Sequence, residues 1–292
     1  MKTIYKKAVL LLSFFVVLTF SGCRKSEEVI KQMPEPESLK EYYKFWRENS
    51  KGSFIFESTA RLWTRKENVS QVMAGDFREG GLAVKGGPLK FGNHVVLPYK
   101  EELNGTPEYV YYLGGGGDLK GKAGLHAARD VFGTLMSIEL QAPVSKTVAR
   151  GEGTETVTGS LYIPKEIEYL APVRNLDDSA TFVLHEGFHI KWNEDSENLK
   201  GVLIYLEYDP GNGMNTVTHA KNYPQRIQKL ITTKDVAEGY VIKNADIQAL
   251  PNGSWIVIRI ARVNYVVLKN REETYKVGAI TTREGDLLVR HK

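Results

Sequence analysis

Residues 181–209 read TFVLHEGFHIKWNEDSENLKGVLIYLEYD, and two incompatible readings meet in this stretch. His185, Glu186 and His189 spell H-E-x-x-H. On a helix that spacing sets two imidazoles one turn apart on a zinc ion, with the Glu as general base of a metallopeptidase. The same residues also alternate. Phe182, Leu184, Phe188, Ile190 and Trp192 take the even positions, while Thr181, His185, His189 and Lys191 take the odd ones. Alternation is the mark of a half-buried strand. In a strand, residues four apart are separated by roughly 13 Å, too far for both rings to reach one zinc at about 2 Å. The β-branched and aromatic content favours the strand, as does Gly187 at the motif's centre, which costs a helix about 1 kcal/mol. The expectation is therefore an extended segment from Thr181 to Trp192, a polar turn from Asn193 to Lys200, and a second strand from Gly201 to Tyr208. Glu207 lies at the distance of a third zinc ligand but inside that apolar second strand. The zinc metallopeptidase, with His185 and His189 as ligands and Glu186 as base, is kept as the alternative.

The chain begins with a basic start (Lys2, Lys6, Lys7), an apolar run from Ala8 to Phe20, and Phe20-Ser21-Gly22-Cys23. This is the anatomy of an export signal, with an apolar run too short to span a bilayer comfortably. Its ending resembles the lipobox of bacterial lipoproteins, although Phe20 stands where that family has Leu. The resemblance implies that Cys23 is lipidated and becomes the mature N-terminus. Cys23 is the sole cysteine, so no intramolecular disulfide forms, and a lipid-bearing role accounts for a single thiol in an exported chain. Arg24-Lys25-Ser26-Glu27-Glu28 is similar to the surface-export signal of Bacteroidetes-type lipoproteins. The resemblance implies an outer-membrane, lipid-anchored location that extends to the cell surface.

The formal net charge is +4. Residues 1–23 hold three lysines and no acid, so about +1 remains after their removal, which argues against a nucleic-acid partner. With 42% hydrophobic residues in 292, the chain has globular composition and length for two domains.

Residues 24–51 divide into a polar tether with Pro34 and Pro36 and a short helix. Ser38 and Glu41 form a capping box, and Leu39, Tyr42, Tyr43 and Trp46 recur at helical spacing, giving an aromatic face suited to packing on a neighbouring domain. Strand patterns follow at Ser53–Glu57, Thr59–Thr64, His94–Tyr99, Glu108–Leu113 and Thr134–Leu140, so residues 52–150 read as an all-β domain, sandwich or small barrel. Its loop Gly114 to Gly124 places Gly116, Gly121 and Lys122 as in a phosphate loop. Ala123 replaces the magnesium-binding Ser or Thr, however, and no helix-strand alternation surrounds the loop. Four consecutive glycines fit a hairpin or flexible loop better.

Residues 151–292 carry strand patterns at Gly159–Ile163, Thr181–Trp192, Gly201–Tyr208, Ile227–Thr232, Tyr240–Ile242, Ser254–Val267, Tyr275–Ile280 and Leu287–Arg290. Turn signals stand at Asp209-Pro210-Gly211, Pro251-Asn252-Gly253 and Glu284-Gly285-Asp286. Short strands at this density suggest an immunoglobulin-like sandwich, with Trp192 and Trp255 as core anchors. The run I-x-W-N-x-D-x-x-N at Ile190 to Asn198, the following G-V-L-I-Y-L-E-Y, and L-P-N-G-S-W-I-V-I-R-I-A-R at Leu250 to Arg262 resemble segments of Bacteroidetes-type outer-membrane lipoproteins with immunoglobulin-like β-sandwich domains. The resemblance implies fold and location and transfers no catalytic residue.

The fold class expected is thus all-β: two β domains, the C-terminal one immunoglobulin-like, after a lipoprotein signal, a tether and one short helix. No G-x-S-x-G elbow, cysteine nucleophile or G-x-G-x-x-G fingerprint is present, and no cofactor is expected. Asn193, Glu194, Asp195, Glu197 and Asn198 offer alternating oxygens to calcium, but the loop lacks the glycine and terminal Glu of a calcium loop, and a solvated turn fits better. Asp178-Ser179-Ala180 resembles an O-glycosylation site of such bacteria. The function expected is a non-enzymatic surface binding or scaffolding module with a protein or glycan partner. Besides the zinc peptidase, a glycoside-active enzyme using a carboxylate pair is a third reading, with no pair identifiable from sequence.

Overall fold

The computed structural model describes residues 50–61, 70–103, 106–114, 131–144, 153–172 and 182–291. Cys23 and the export signal, the tether, the helix expected at Ser38 to Trp46, the phosphate-loop-like string at 116–123 and Asp178-Ser179-Ala180 lie outside these residues. The described part is all-β, as the alternation patterns predict.

In chain order the strands are β1 (Gly52–Arg61), β2 (Ser70–Glu79), β3 (Leu82–Val84), β4 (Leu89–Phe91), β5 (His94–Val96), β6 (Pro98–Leu103), β7 (Thr106–Gly114), β8 (Thr134–Pro143), β9 (Thr154–Ile163), β10 (Tyr169–Ala171), β11 (Val183–Leu184), β12 (His189–Trp192), β13 (Val202–Tyr208), β14 (Ile227–Thr233), β15 (Tyr240–Val241), β16 (Trp255–Asn270) and β17 (Glu273–Val289). Two short helices, α1 (Val217–Asn222) and α2 (Asn244–Ile247), interrupt them.

The β16–β17 hairpin is the spine. Its pairing runs without a register shift from Trp255↔Leu288 to Asn270↔Glu273. The free edge of β17 takes β1 in parallel over Tyr275 to Glu284, then β11 in parallel at Leu288 and Val289. On the other side β16 takes β13, which takes β14. With β2, β7, β6 and β3 this makes a ten-stranded sheet. Because side chains alternate along an unshifted strand, the even residues of β16 and the odd residues of β17 share one face over its whole length.

That face carries two apolar cores. A four-stranded sheet, β5-β4-β8-β9, packs on the distal half of the hairpin with β1, β2 and β7. It encloses Phe54, Phe56, Phe77, Phe91, Leu140, Leu161, Tyr275 and Val277. Here aromatic rings meet edge to face, Phe54 with Phe77 at 5.1 Å and Phe56 with Phe91 at 5.0 Å, the favoured quadrupole arrangement. A three-stranded sheet, β10-β12-β15, packs on the proximal half and encloses Trp192, Ile190, Ile204, Leu206, Ile258, Ile260 and Leu287. Both halves are therefore two-layer sandwiches that share their larger sheet. The strands β8 and β9 pair across residue 150, and the two cores meet at the crossing from Ile163 to Ile167.

Several sequence expectations need correction. The segment 181–192 is not one strand: β11 ends at Leu184, and β12 begins at His189 after a turn whose Gly187 has φ +85°. The turn expected at Glu284-Gly285-Asp286 lies inside β17, where the three residues face Arg259, Ile258 and Val257. Trp255 is only half-buried and lies on the opposite face of the sheet from Trp192, so it is not a core anchor. The expected strand His94–Tyr99 breaks at Leu97 into edges of two different sheets.

Candidate functional site

The H-E-x-x-H string is spread over the end of β11, a turn and the start of β12. The Phe188 N–H donates to the His185 carbonyl at 3.0 Å and closes a reverse turn. A helix, which this zinc motif requires, is not what these residues form. His185 Nδ1 bonds the Glu186 carbonyl at 2.7 Å, and His189 Nε2 bonds the Glu238 carbonyl at 2.6 Å, so the two imidazoles address separate backbone oxygens. Glu186 is exposed in the turn. No group of three His, Cys, Asp or Glu side chains able to surround a metal ion occurs among the described residues.

Glu207 lies on the other face of the large sheet, in a chain of alternating charges. It accepts from Arg259 at 3.0 Å, from Arg226 at 3.2 Å and from Gln228 at 3.1 Å. Arg226 continues to Asp209 at 2.5 Å, and Arg259 to Glu284 at 3.0 Å. Glu207 and Glu284 are thus bridged by one guanidinium. Burial works against the Arg259 charge, but the hydrogen bonds to Glu207 and Glu284 more than offset it and hold its pKa above the usual value. The Asp209 carboxyl is held low by the Gly211 N–H and by Arg226. These are the marks of a solvent-edge ion network, not of an acid and a base poised to exchange a proton.

The densest polar assembly was not foreseen. Between the two apolar cores, the sheet face carries Arg262, Asn264, Thr281 and Arg283, and the segment Pro164 to Glu168 crosses over them from β9 to β10. Having no ladder partner, that segment has its backbone groups met mainly by side chains, with one backbone bond from the Asn193 N–H to the Glu168 carbonyl at 3.0 Å. Arg262 Nη1 donates to the Lys165 and Glu166 carbonyls at 3.1 and 3.2 Å, Thr281 Oγ1 to the Lys165 carbonyl at 3.1 Å, and Arg283 Nε to the Ile167 carbonyl at 2.6 Å. Asn193 pairs with both neighbours, donating to the Glu166 carbonyl at 2.9 Å and accepting from the Glu168 N–H at 2.7 Å. Arg262 also donates to the Asn193 carbonyl and grips Asp235 through Nε and Nη2. Asp235 in turn accepts from Trp192 Nε1 at 3.2 Å and Asn198 Nδ2 at 2.9 Å.

The oxygen-rich loop 193–198 belongs to this assembly. The loop is a turn with Glu194, Ser196 and Glu197 exposed, as expected, but Asp195 and Asn198 are buried, which corrects the solvated-turn expectation for those two residues. Asp195 accepts from the Tyr162 hydroxyl at 2.7 Å and the Lys165 N–H at 2.8 Å, one on each carboxylate oxygen. Its oxygens converge on protein donors, where a calcium loop would need them to converge on an ion. Burial, and then the Asp195 carboxylate, push the Tyr162 phenol well above its usual range. Burial likewise draws the Arg283 guanidinium below its usual value, opposed by Glu166 and Glu168.

One of several exposed apolar regions lies along a sheet edge. Residues 94–99 supply an outermost strand of the small sheet, β5, and, past Leu97, of the large sheet, β6. Val95, Leu97 and Tyr99 are all exposed there. An edge strand flanked by exposed apolar side chains suits the addition of a partner segment.

A comparison with protein-family models finds no match, and a comparison with curated proteins finds none either.

Proposed function

We propose that the chain is a lipid-anchored protein of the cell envelope, held at the outer membrane through acyl groups on Cys23, whose folded part is a non-enzymatic module that binds or scaffolds a protein or glycan partner. The anchor rests on the basic start, the apolar run and Ser21-Gly22-Cys23. The observation that carries the rest is the fate of the chemically able side chains. His185, His189, Asp195 and Glu207 are each engaged with the protein's own carbonyls, donors or guanidinium groups. Buried Arg262, Asp235 and Arg283 brace the frame. The edge carrying Val95, Leu97 and Tyr99 exposes apolar side chains of the kind an added partner segment would cover.

Growth with an alkyne-bearing fatty acid tests the anchor: label on the wild-type chain, its absence from Cys23→Ala, and release of that variant from the membrane fraction are expected. A wild-type chain that stays unlabelled and soluble overturns it. Capture of envelope proteins or glycans that weakens in a Leu97→Asp variant supports the module. Zinc near one equivalent per chain, lost in His185→Ala, would replace it with the peptidase.

A further inference from the structure

Asn-Gly occurs at 104–105, 212–213 and 252–253, the first outside the described residues. The glycine has no side chain to shield its backbone nitrogen, which can therefore approach Cγ of the asparagine before it. Asparagine is thermolabile for this reason. The Gly N–H gives its proton to a solvent base, and the nitrogen bonds Cγ. The Cγ–Nδ2 bond breaks, and ammonia leaves with a proton from solvent. Water then opens the succinimide ring at either carbonyl, giving aspartate or isoaspartate. Sequence does not separate sites 212 and 252, but the backbone does.

At 252–253 the attacking group is occupied. The Gly253 N–H donates to the Val289 carbonyl at 2.9 Å, next to the first pair of the spine, Trp255↔Leu288. Asn252 Oδ1 accepts from the His291 N–H at 3.0 Å, and its main-chain carbonyl bonds His219 Nε2 at 3.1 Å. Attack there requires the end of the spine to open first. At 212–213 the attacking group is available. Gly213 is exposed, and beyond its chain neighbours no atom lies within 4 Å of where a Cβ would stand. Among the described residues nothing accepts from its N–H. Asn212 Oδ1 accepts from the Met214 N–H at 3.0 Å, which folds the side chain across Gly213. The same N–H stabilises the negative charge that grows on Oδ1 as the nitrogen attacks. Exposure alone ranks the sites in the opposite order, since Asn252 is exposed and Asn212 half-buried.

We propose that Asn212 is a site of spontaneous deamidation in the folded protein, that Asn252 is protected, and that isoaspartate at 212 loosens the start of β16. The Asn212 N–H donates to the Asp209 carbonyl at 3.0 Å and the Asn215 N–H to the Asn212 carbonyl at 2.9 Å. This turn sets Asn215 to accept from the Trp255 N–H at 2.7 Å and to donate to the Trp255 carbonyl at 3.1 Å. Isoaspartate routes the chain through the side chain and adds a methylene to it, so the turn no longer closes and Asn215 loses its aim. The proposal depends neither on lipid at Cys23 nor on a partner at the β5–β6 edge, so its failure is distinguishable from theirs.

Peptide mapping by mass spectrometry tests it on the full chain aged at mildly alkaline pH. In the folded protein Asn212 is expected to deamidate several-fold faster than Asn252, and in guanidinium the two rates should converge. Gly213→Ala, which the open space accommodates outside the left-handed region, should slow Asn212 several-fold. Amide exchange at Trp255 should quicken in the aged wild type and hold steady in the aged variant. A folded chain in which Asn252 reacts at least as fast as Asn212 overturns the proposal. So does a rate ratio that denaturant leaves unchanged, because local sequence and not the fold would then set it. Unaltered Trp255 exchange in protein carrying isoaspartate at 212 overturns the loosening of β16.

Discussion

Arg262 and Asp235 form a two-pronged ion pair, Nε to Oδ2 at 2.6 Å and Nη2 to Oδ1 at 2.9 Å, with side-chain exposures of 0% and 2%. The pair stands where the two apolar cores adjoin, and its remaining donors and acceptors reach the crossing segment, Asn193, Trp192 and Asn198. A charge pair so enclosed offers nothing to a substrate. Its work is to lock the two sandwiches onto one sheet.

Asp235→Ala is therefore expected to cost about 3–5 kcal/mol, the penalty of leaving a buried guanidinium without its counter-charge. Asp235→Leu combined with Arg262→Met should lose less than the sum of the single changes, since both charges then leave together. It should still fall below the wild type because the Lys165, Glu166 and Asn193 carbonyls lose their donor. Guanidinium unfolding midpoints measure all three, and an Asp235→Ala loss under about 1 kcal/mol would contradict the bracing role.

Alkaline pH probes both cores. Burial pushes the Tyr111 phenol up to about 12, against a smaller downward pull from the Gly86 N–H. Burial moves Tyr169 and Tyr275 the same way. A raised folded pKa means the fold prefers the neutral phenol. Its contribution is complete below about pH 10, where the unfolded chain ionises, and is lost as pH climbs from 10 to 12, at about 1.4 kcal/mol per unit per group. Unfolding midpoints should hold steady to about pH 9.5 and then drop, with tyrosinate absorbance rising in step. Tyr111→Phe should cost about 1 kcal/mol at neutral pH, for its bonds with Gly86 and Gly87, and decline less steeply above pH 10.

The imidazoles of the H-E-x-x-H string give a third expectation. His185 is half-buried and His189 exposed, and each makes one bond to a carbonyl. His185→Ala and His189→Ala should each shift stability by less than about 1 kcal/mol and leave metal content unchanged. Elemental analysis beside a thermal scan checks both at once. A metal lost together with either ring would restore the peptidase reading.

How far the sequence speaks is visible in particular residues. A continuous apolar run locates β13 to within a residue because that strand is buried on both faces, and β-branched content does the same for β14. β2 escapes because Gly75 and Asp76 interrupt it. Gly75 is needed there because a Cβ would stand 2.3 Å from Phe54 Cδ1, a contact no local pattern reveals. Glu284-Gly285-Asp286 mimics a turn since Glu284's reason for being in a strand, Arg259, stands 25 residues away. The polar assembly leaves a partial trace. In I-V-I-R-I-A-R-V-N from Ile256 to Asn264, Arg262 shares the parity of Ile256, Ile258 and Ile260, so a charge is announced on the buried face. Its partner Asp235 is 27 residues off in a loop and is not announced. The oxygen-rich loop 193–198 is legible as a place where oxygens converge, but their donors, Tyr162 and the Lys165 N–H, come from a distant segment.

Two glycines of the second sandwich separate backbone strain from steric exclusion. Gly187, at the centre of the H-E-x-x-H string, has φ +85° and open space where a Cβ would stand. Gly187→Ala therefore carries only the left-handed penalty of about 1–2 kcal/mol. Gly239 has φ +70°, and a Cβ there would lie 2.0 Å from the Ile190 carbonyl oxygen. Ile190 pairs with Tyr240 and His189 with Val241, so relief of that clash must push β15 away from β12 and disturb the layer that holds Trp192. The steric term adds about 1–3 kcal/mol to the same backbone cost, and Gly239→Ala should be the less stable variant by that margin. Equal unfolding midpoints for the two variants would mean that β15 is not held against β12 as the pairing requires, and amide exchange at Tyr240 and Ile242 would then be fast in the wild type too.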